Sequence, residues 1–191
     1  GLPYIRKDGE VNPERYAFPD AENIKNLALG SRDLLYAYYF TGEEAYAQKA
    51  AEMINTWFIA DSTRMNPHLN YSQAIPGINE GRFIGIIDVN MIINIIEVLP
   101  ILNASPFWSS GQEEKLRDWL ESFLDWLLES EFGKQESIHP NNHGTWYDVT
   151  TISIAKYLGK KDLAYKMLNE SKDKRFNLHL ASDGSQPHEL S

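Results

Sequence analysis

A chain of 191 residues with 42% hydrophobic and 24% charged content has the make-up of one soluble domain with a real core, which excludes disordered and collagen-like classes. A formal charge of -9 without a basic run excludes nucleic acid as the default partner, because phosphate binding draws on clustered Lys and Arg. The absence of cysteine removes disulfides, thiolate metal sites and cysteine nucleophiles, and fits any compartment.

Taken in chain order, the first predicted element is a helix over residues 21–40, where Ile24, Leu27, Ala28, Leu34, Leu35 and Tyr38 recur at three and four spacing and Asp20 stands as N-cap. Thr41-Gly42 ends it, and a second helix over 43–58 starts with acids in its first turn, giving a helical hairpin. Residues 60–81 read as a long non-helical segment. The apolar stretch 84–102 reads as one buried helix and not a membrane span, since Asp88, Asn90, Asn94 and Glu97 would be expensive in lipid. Residues 112–129 form an amphipathic helix with Leu116, Trp119, Leu120, Phe123, Trp126 and Leu127 on one face, which places both tryptophans in the core. Residues 130–143 read as a second long non-helical segment, followed by helices over 150–158 and 161–180 around Gly159. Aligning Gly42 with Gly159 matches Phe40 with Tyr157, Ala47 with Ala164 and Lys49 with Lys166, a repeated helix-Gly-helix unit. No alternating strand longer than a few residues appears, so the fold class is all-α.

Chemistry concentrates in Asn141-Asn142-His143-Gly144-Thr145-Trp146-Tyr147-Asp148, which sets two amides, an imidazole, an indole, a phenol and a carboxylate in one stretch. Such groups are costly to bury unpaired and suit a polar ligand carrying hydroxyl or carboxylate groups. The 12% aromatic content fits either a helical core or a cleft lined with flat faces for sugar rings. In the earlier loop, Asn70, Tyr71 and Gln73 supply polar contacts for hydroxyls, while Arg64 and Arg82 can grip a carboxylate or pair with Glu80 or Asp88. His139 and His143 stand four apart, yet Pro140 interrupts a shared helical face and no Glu follows His139, which argues against a catalytic metal. Asp148 is positioned in sequence to select the tautomer in which His143 acts as base.

These residues resemble the alginate lyase-like family of polysaccharide lyases, whose hallmark is an Asn-Asn-His motif. The resemblance extends from Asn141-Asn142-His143 to Arg64-Met65-Asn66-Pro67-His68-Leu69-Asn70-Tyr71, to Gln73-Ala74-Ile75-Pro76-Gly77 with Gly81-Arg82, and to Asp183-Gly184-Ser185-Gln186-Pro187-His188-Glu189-Leu190. It implies an (α/α) toroid of helical hairpins within residues 1–191, export to the periplasm or secretion, and β-elimination on a uronic-acid polymer without cofactor or metal. The implied partner is an acidic polysaccharide. By that resemblance Asn142 neutralises the substrate carboxylate and His143 takes the C5 proton or holds the carboxylate neutral. Arg64, Asn70, Tyr71, Gln73, Arg82, Trp146, Tyr147 and Glu189 are the expected substrate-binding residues. The family's catalytic tyrosine, with a nearby arginine, generally follows the segment that here ends at Ser191, and neither Tyr71 nor Tyr147 stands at its motif position. The expectation is therefore a piece of a longer toroid, with an apolar face left for further helices. Two alternatives are a non-catalytic carbohydrate-binding toroid and a glycoside hydrolase using a carboxylate pair drawn from Asp88, Asp148 and Glu189.

Overall fold

Two helical hairpins frame the protein, whose computed structural model describes Pro13 and residues 18–189. Helix α1 (Asp20–Thr41) buries Ile24, Leu27, Ala28 and Leu35 on one stripe, and α2 (Glu44–Phe58) answers with Ala47, Ala50, Ala51, Ile54 and Phe58. The small alanines let the two helices approach closely. Pro19, not Asp20, occupies the N-cap, so Asp20 lies inside the first turn, where its charge meets the positive end of the helix dipole. Gly42 sits at φ 72 and closes α1 with its amide on the Tyr38 carbonyl, while Gly159 at φ 80 makes the equivalent turn in the second hairpin. A side chain is strained in that left-handed region, which explains why the two turns share glycine.

The stretch expected as one helix over 84–102 is two elements: a 3-10 segment at Phe83–Val89, then α3 (Ile92–Leu102). Glycine and β-branched residues supply little helix propensity here, so packing against α1 and two helices that follow later in the chain decides the winding. By length and composition this one stretch among the described residues could cross a membrane, with mean hydropathy 1.9, but 44% of it is buried inside the protein. Ile92, Ile95, Ile96, Leu99 and Leu102 join the core.

Helix α4 (Ser110–Glu129) begins with a capping box: Gln112 N–H donates to Ser109 Oγ, and the Gln112 side chain accepts from the Ser109 backbone. Its face of Leu116, Trp119, Leu120, Phe123, Leu124 and Leu127 is buried as expected. Trp126 departs from the expectation; it lies half-buried at the edge and donates from Nε1 to Asn70 Oδ1 at 3.1 Å.

The segment expected to lack helix carries α5 (Glu131–Ser137), and α6 (Asn142–Tyr157) starts eight residues before the expected position 150. Both starts are set by capping side chains: Ser130 Oγ accepts from Gly133 N–H at 3.0 Å, and Asn141 Oδ1 accepts from His143 N–H at 3.0 Å. Helix α7 (Lys161–His179) packs on α6, and its outward side leaves Tyr165, Leu168 and Phe176 exposed. Among the described residues there is no strand, only an isolated bridge between Ile75 and Asn79. The arrangement brings the 3-10 segment, α5 and the first turn of α6 together.

Candidate active site

Asn142 and His143 open α6, side by side at its positive end. The Asn142 side-chain amide is exposed and makes no hydrogen bond among the described residues, whereas its backbone N–H donates to Glu189 Oε1 at 2.5 Å. Glu189 thus caps α6 from the C-terminal segment, and its carboxylate is in part committed to that role. His143 places Nδ1 at 2.7 Å from Oε1 of Glu136, a carboxylate of α5 with no solvent exposure. Burial pushes the Glu136 carboxyl up, His143 and Arg175 oppose that shift, and Asp88 adds to it. The His143 Nε2 atom has no partner among the described residues and is not sealed from solvent. His139 packs its ring 5.0 Å from that of His143, and burial holds its pKa below the usual imidazole value.

The expected link from Asp148 to His143 is corrected by this geometry. Asp148 instead receives Arg175 as a fork, Nε to Oδ2 at 2.6 Å and Nη2 to Oδ1 at 2.8 Å, with Ser171 Oγ donating to Oδ2 at 2.6 Å. The same guanidinium donates to the carbonyls of His139 at 3.2 Å and Ser137 at 2.9 Å, so it ties α7 to the α5–α6 turn that carries the two histidines. Gly144 makes room for it: a Cβ there would lie 2.3 Å from Arg175 Nη1 and 2.4 Å from the His139 carbonyl oxygen. Tyr147 is also corrected. Its ring is buried and its hydroxyl donates to the Leu127 carbonyl at 2.8 Å, so it belongs to the core and not to a substrate surface. Burial raises its pKa far beyond that of a free phenol.

In the loop over 60–82, Arg82 donates from Nε to the Gln73 carbonyl at 3.0 Å and from Nη2 to Gln73 Oε1 at 2.9 Å. Gln73 passes the link on, its amide nitrogen reaching both Asp88 oxygens at 3.2 and 3.1 Å. Phe83, next to Arg82 in the chain, packs its ring 6.0 Å from that of His139, which brings this network close to the α5–α6 turn. Arg82 therefore stands in the site with part of its fork already occupied. Tyr71 is 68% exposed next to the His68 ring, and Trp146 projects from α6 at 36% exposure. Asn70 spends its carbonyl oxygen on Trp126. Arg64 is not drawn into the network; it is exposed and pairs with Asp61 at 3.6 Å. The carboxylates weighed for a hydrolase are engaged separately, Asp148 by Arg175, Asp88 by Gln73 and Glu189 by the Asn142 backbone N–H.

Glu136 and Arg175 are residues of the candidate site that sequence reasoning missed. Arg175 lies 27 positions from its partner, and no local pattern marks it. Glu136 is seven residues before His143, and its burial was the missing information. The best-formed pocket, about 300 Å³, lies elsewhere, between the start of α4 and the end of α6, lined by Glu113, Glu114, Asp118 and Glu121 with Arg117 and Lys160. Fifteen residues of α6 separate it from His143, about 22 Å of helix, and its carboxylates have the wrong sign for a polyanion.

The fold is that of an all-α toroid built from helical hairpins, with a histidine and an amide at a helix start. Its sequence matches the alginate lyase family over residues 1–191, and the chain belongs to that family. The crystal structure of an alginate lyase from Bacteroides ovatus superimposes with a TM-score of 0.93 at 38% identity, covering 99% of this chain and 50% of that one. The chain thus spans half the length of that lyase. No curated protein sequence matches it.

Proposed function

We propose that the protein acts as a polysaccharide lyase that cleaves a uronic-acid polymer, alginate or a glucuronan, by β-elimination, and that it does so in the periplasm or outside the cell. The reaction removes the C5 proton, converts that electron pair into the C4–C5 double bond, and expels the 4-O-linked sugar, whose oxygen takes up a proton. The ionised carboxylate on C5 opposes the carbanion, so its charge must first be offset. The Asn142 amide, unspent and exposed at the positive end of α6, donates to that carboxylate, and Arg82 held on Gln73 adds a cation nearby. His143 offers Nε2 to the C5 proton or to the carboxylate. The observation that carries this reading is the pairing of an unengaged amide with an imidazole whose far nitrogen is already anchored.

Full-length protein mixed with polymannuronate, polyguluronate and glucuronan should raise ultraviolet absorbance from the unsaturated product on at least one of them. His143→Ala should lower kcat by about 10²- to 10⁴-fold, the usual worth of one proton-transfer group. No absorbance from any polymer, or an unchanged variant, rejects the reading; binding without turnover would favour a carbohydrate-binding role instead.

A further inference from the structure

We infer that Glu136 is a positioning residue whose carboxylate fixes His143 in the tautomer protonated on Nδ1, leaving the Nε2 lone pair to act on the substrate. This rests on the proposed lyase reading of the same site. Glu136 belongs to a seven-residue helix and has no solvent exposure, a placement that costs free energy for a carboxylate and that a leucine would fill without cost. Among the described residues its carboxylate makes one hydrogen bond, to His143 Nδ1 at 2.7 Å, and its second oxygen, Oε2, has no partner. Arg175, the nearby buried cation, is spent on Asp148 and two backbone carbonyls. The carboxylate is thus reserved for the imidazole. An ionised carboxylate only accepts hydrogen bonds, so the atom facing it must carry the proton.

The groups that bear on this pair are Asp88 from the 3-10 segment, His139 from the α5–α6 turn, Tyr147 on α6 and Arg175 on α7. None of them hydrogen-bonds either member.

Long-range proton–nitrogen NMR spectra of histidine-labelled full-length protein, with His143 assigned through His143→Asn, should show the proton on Nδ1 above the titration of the ring. Glu136→Gln should lower kcat by about tenfold or more with KM within about threefold. Glu136→Asp should recover part of the loss. A merely structural Glu136 would instead lower activity only in step with the folded fraction, leaving kcat per folded molecule unchanged. The inference is overturned if wild-type His143 carries its proton on Nε2, or if folded Glu136→Gln keeps the wild-type kcat. Should Glu136→Gln fail to fold, the wild-type tautomer and Glu136→Asp decide it. Should no polyuronate be cleaved, the tautomer and its change in Glu136→Gln remain readable, which separates failure of this inference from failure of the proposed reaction.

Discussion

Asn142 and His143 were legible as candidate site residues because their stretch is unusually polar; the structure leaves the amide exposed and one edge of the imidazole open, while Gly144, Tyr147 and Asp148 of the same stretch are buried. What holds them was not legible. The partner of His143 is a buried glutamate and the partner of Asp148 is an arginine on another helix, and neither burial nor long-range pairing leaves a trace in local spacing. Tyr147 was misplaced for a related reason, since a phenol that donates inward to Leu127 looks in sequence like one that faces a ligand. Titration supplies a test at this scale. Burial holds His179 below its ordinary 6.5, with Arg175 adding to the shift, and His139 moves the same way. The unfolded chain therefore takes up protons first as pH falls through about 6.5, and stability is lost in that window. Glu136, raised above 4.5, acts in the opposite sense lower on the scale, where the folded state binds the extra proton. Melting curves should show Tm falling between about pH 7.5 and about pH 5.5, and the fall should shrink in His179→Gln.

At the scale of elements, α1, α2, α4 and α7 were readable because each has an apolar period or a glycine stop. Helices α5 and α6 were not read correctly at their starts. Residues 131–137 and 142–149 have no apolar stripe, and their winding comes from Ser130 and Asn141 as caps and from Arg175 bracing the turn between them. This makes the α5–α6 turn dependent on tertiary contacts. Gly144→Ala should push a methyl into the Arg175 guanidinium and the His139 carbonyl. Alanine is the better helix former, so propensity alone predicts a gain of roughly 1 kcal/mol. The steric term reverses the sign, and urea denaturation should show a loss of about 1–3 kcal/mol, together with lower activity as His143 shifts. A stabilised Gly144→Ala variant would show that the turn can give way without strain.

On the scale of the whole molecule, the all-α class and the hairpin repeat followed from the sequence pattern, and the break at Asn90 did not, because an apolar run looks the same wound as a 3-10 segment or as an α-helix. The core is one connected cluster running from Ile24 to Ala155; α7 adds only the partly buried Leu163 and Ala164 at its edge, its buried residue being Arg175. Stability should follow that division. Phe123→Ala, at the fully buried centre, should cost about 3–5 kcal/mol. Phe176→Ser, on the exposed face of α7, should stay within about 0.5 kcal/mol. Chemical denaturation of both variants checks the contrast, and a large loss in Phe176→Ser would mean that the outward face of α7 is covered in solution.

Gln73 is the one described non-glycine residue with positive φ, at 47°, and its side chain is the link between Arg82 and Asp88. A protein engineer seeking heat resistance would choose glycine there, relieving backbone strain of about 1 kcal/mol. The same change would remove the Oε1 partner of Arg82 Nη2 and the link to Asp88, leaving the guanidinium only the backbone carbonyl of residue 73. Gln73→Gly should therefore show little loss in Tm but a raised KM for polyuronate, marking a position where robustness and substrate grip make opposing demands on a single residue.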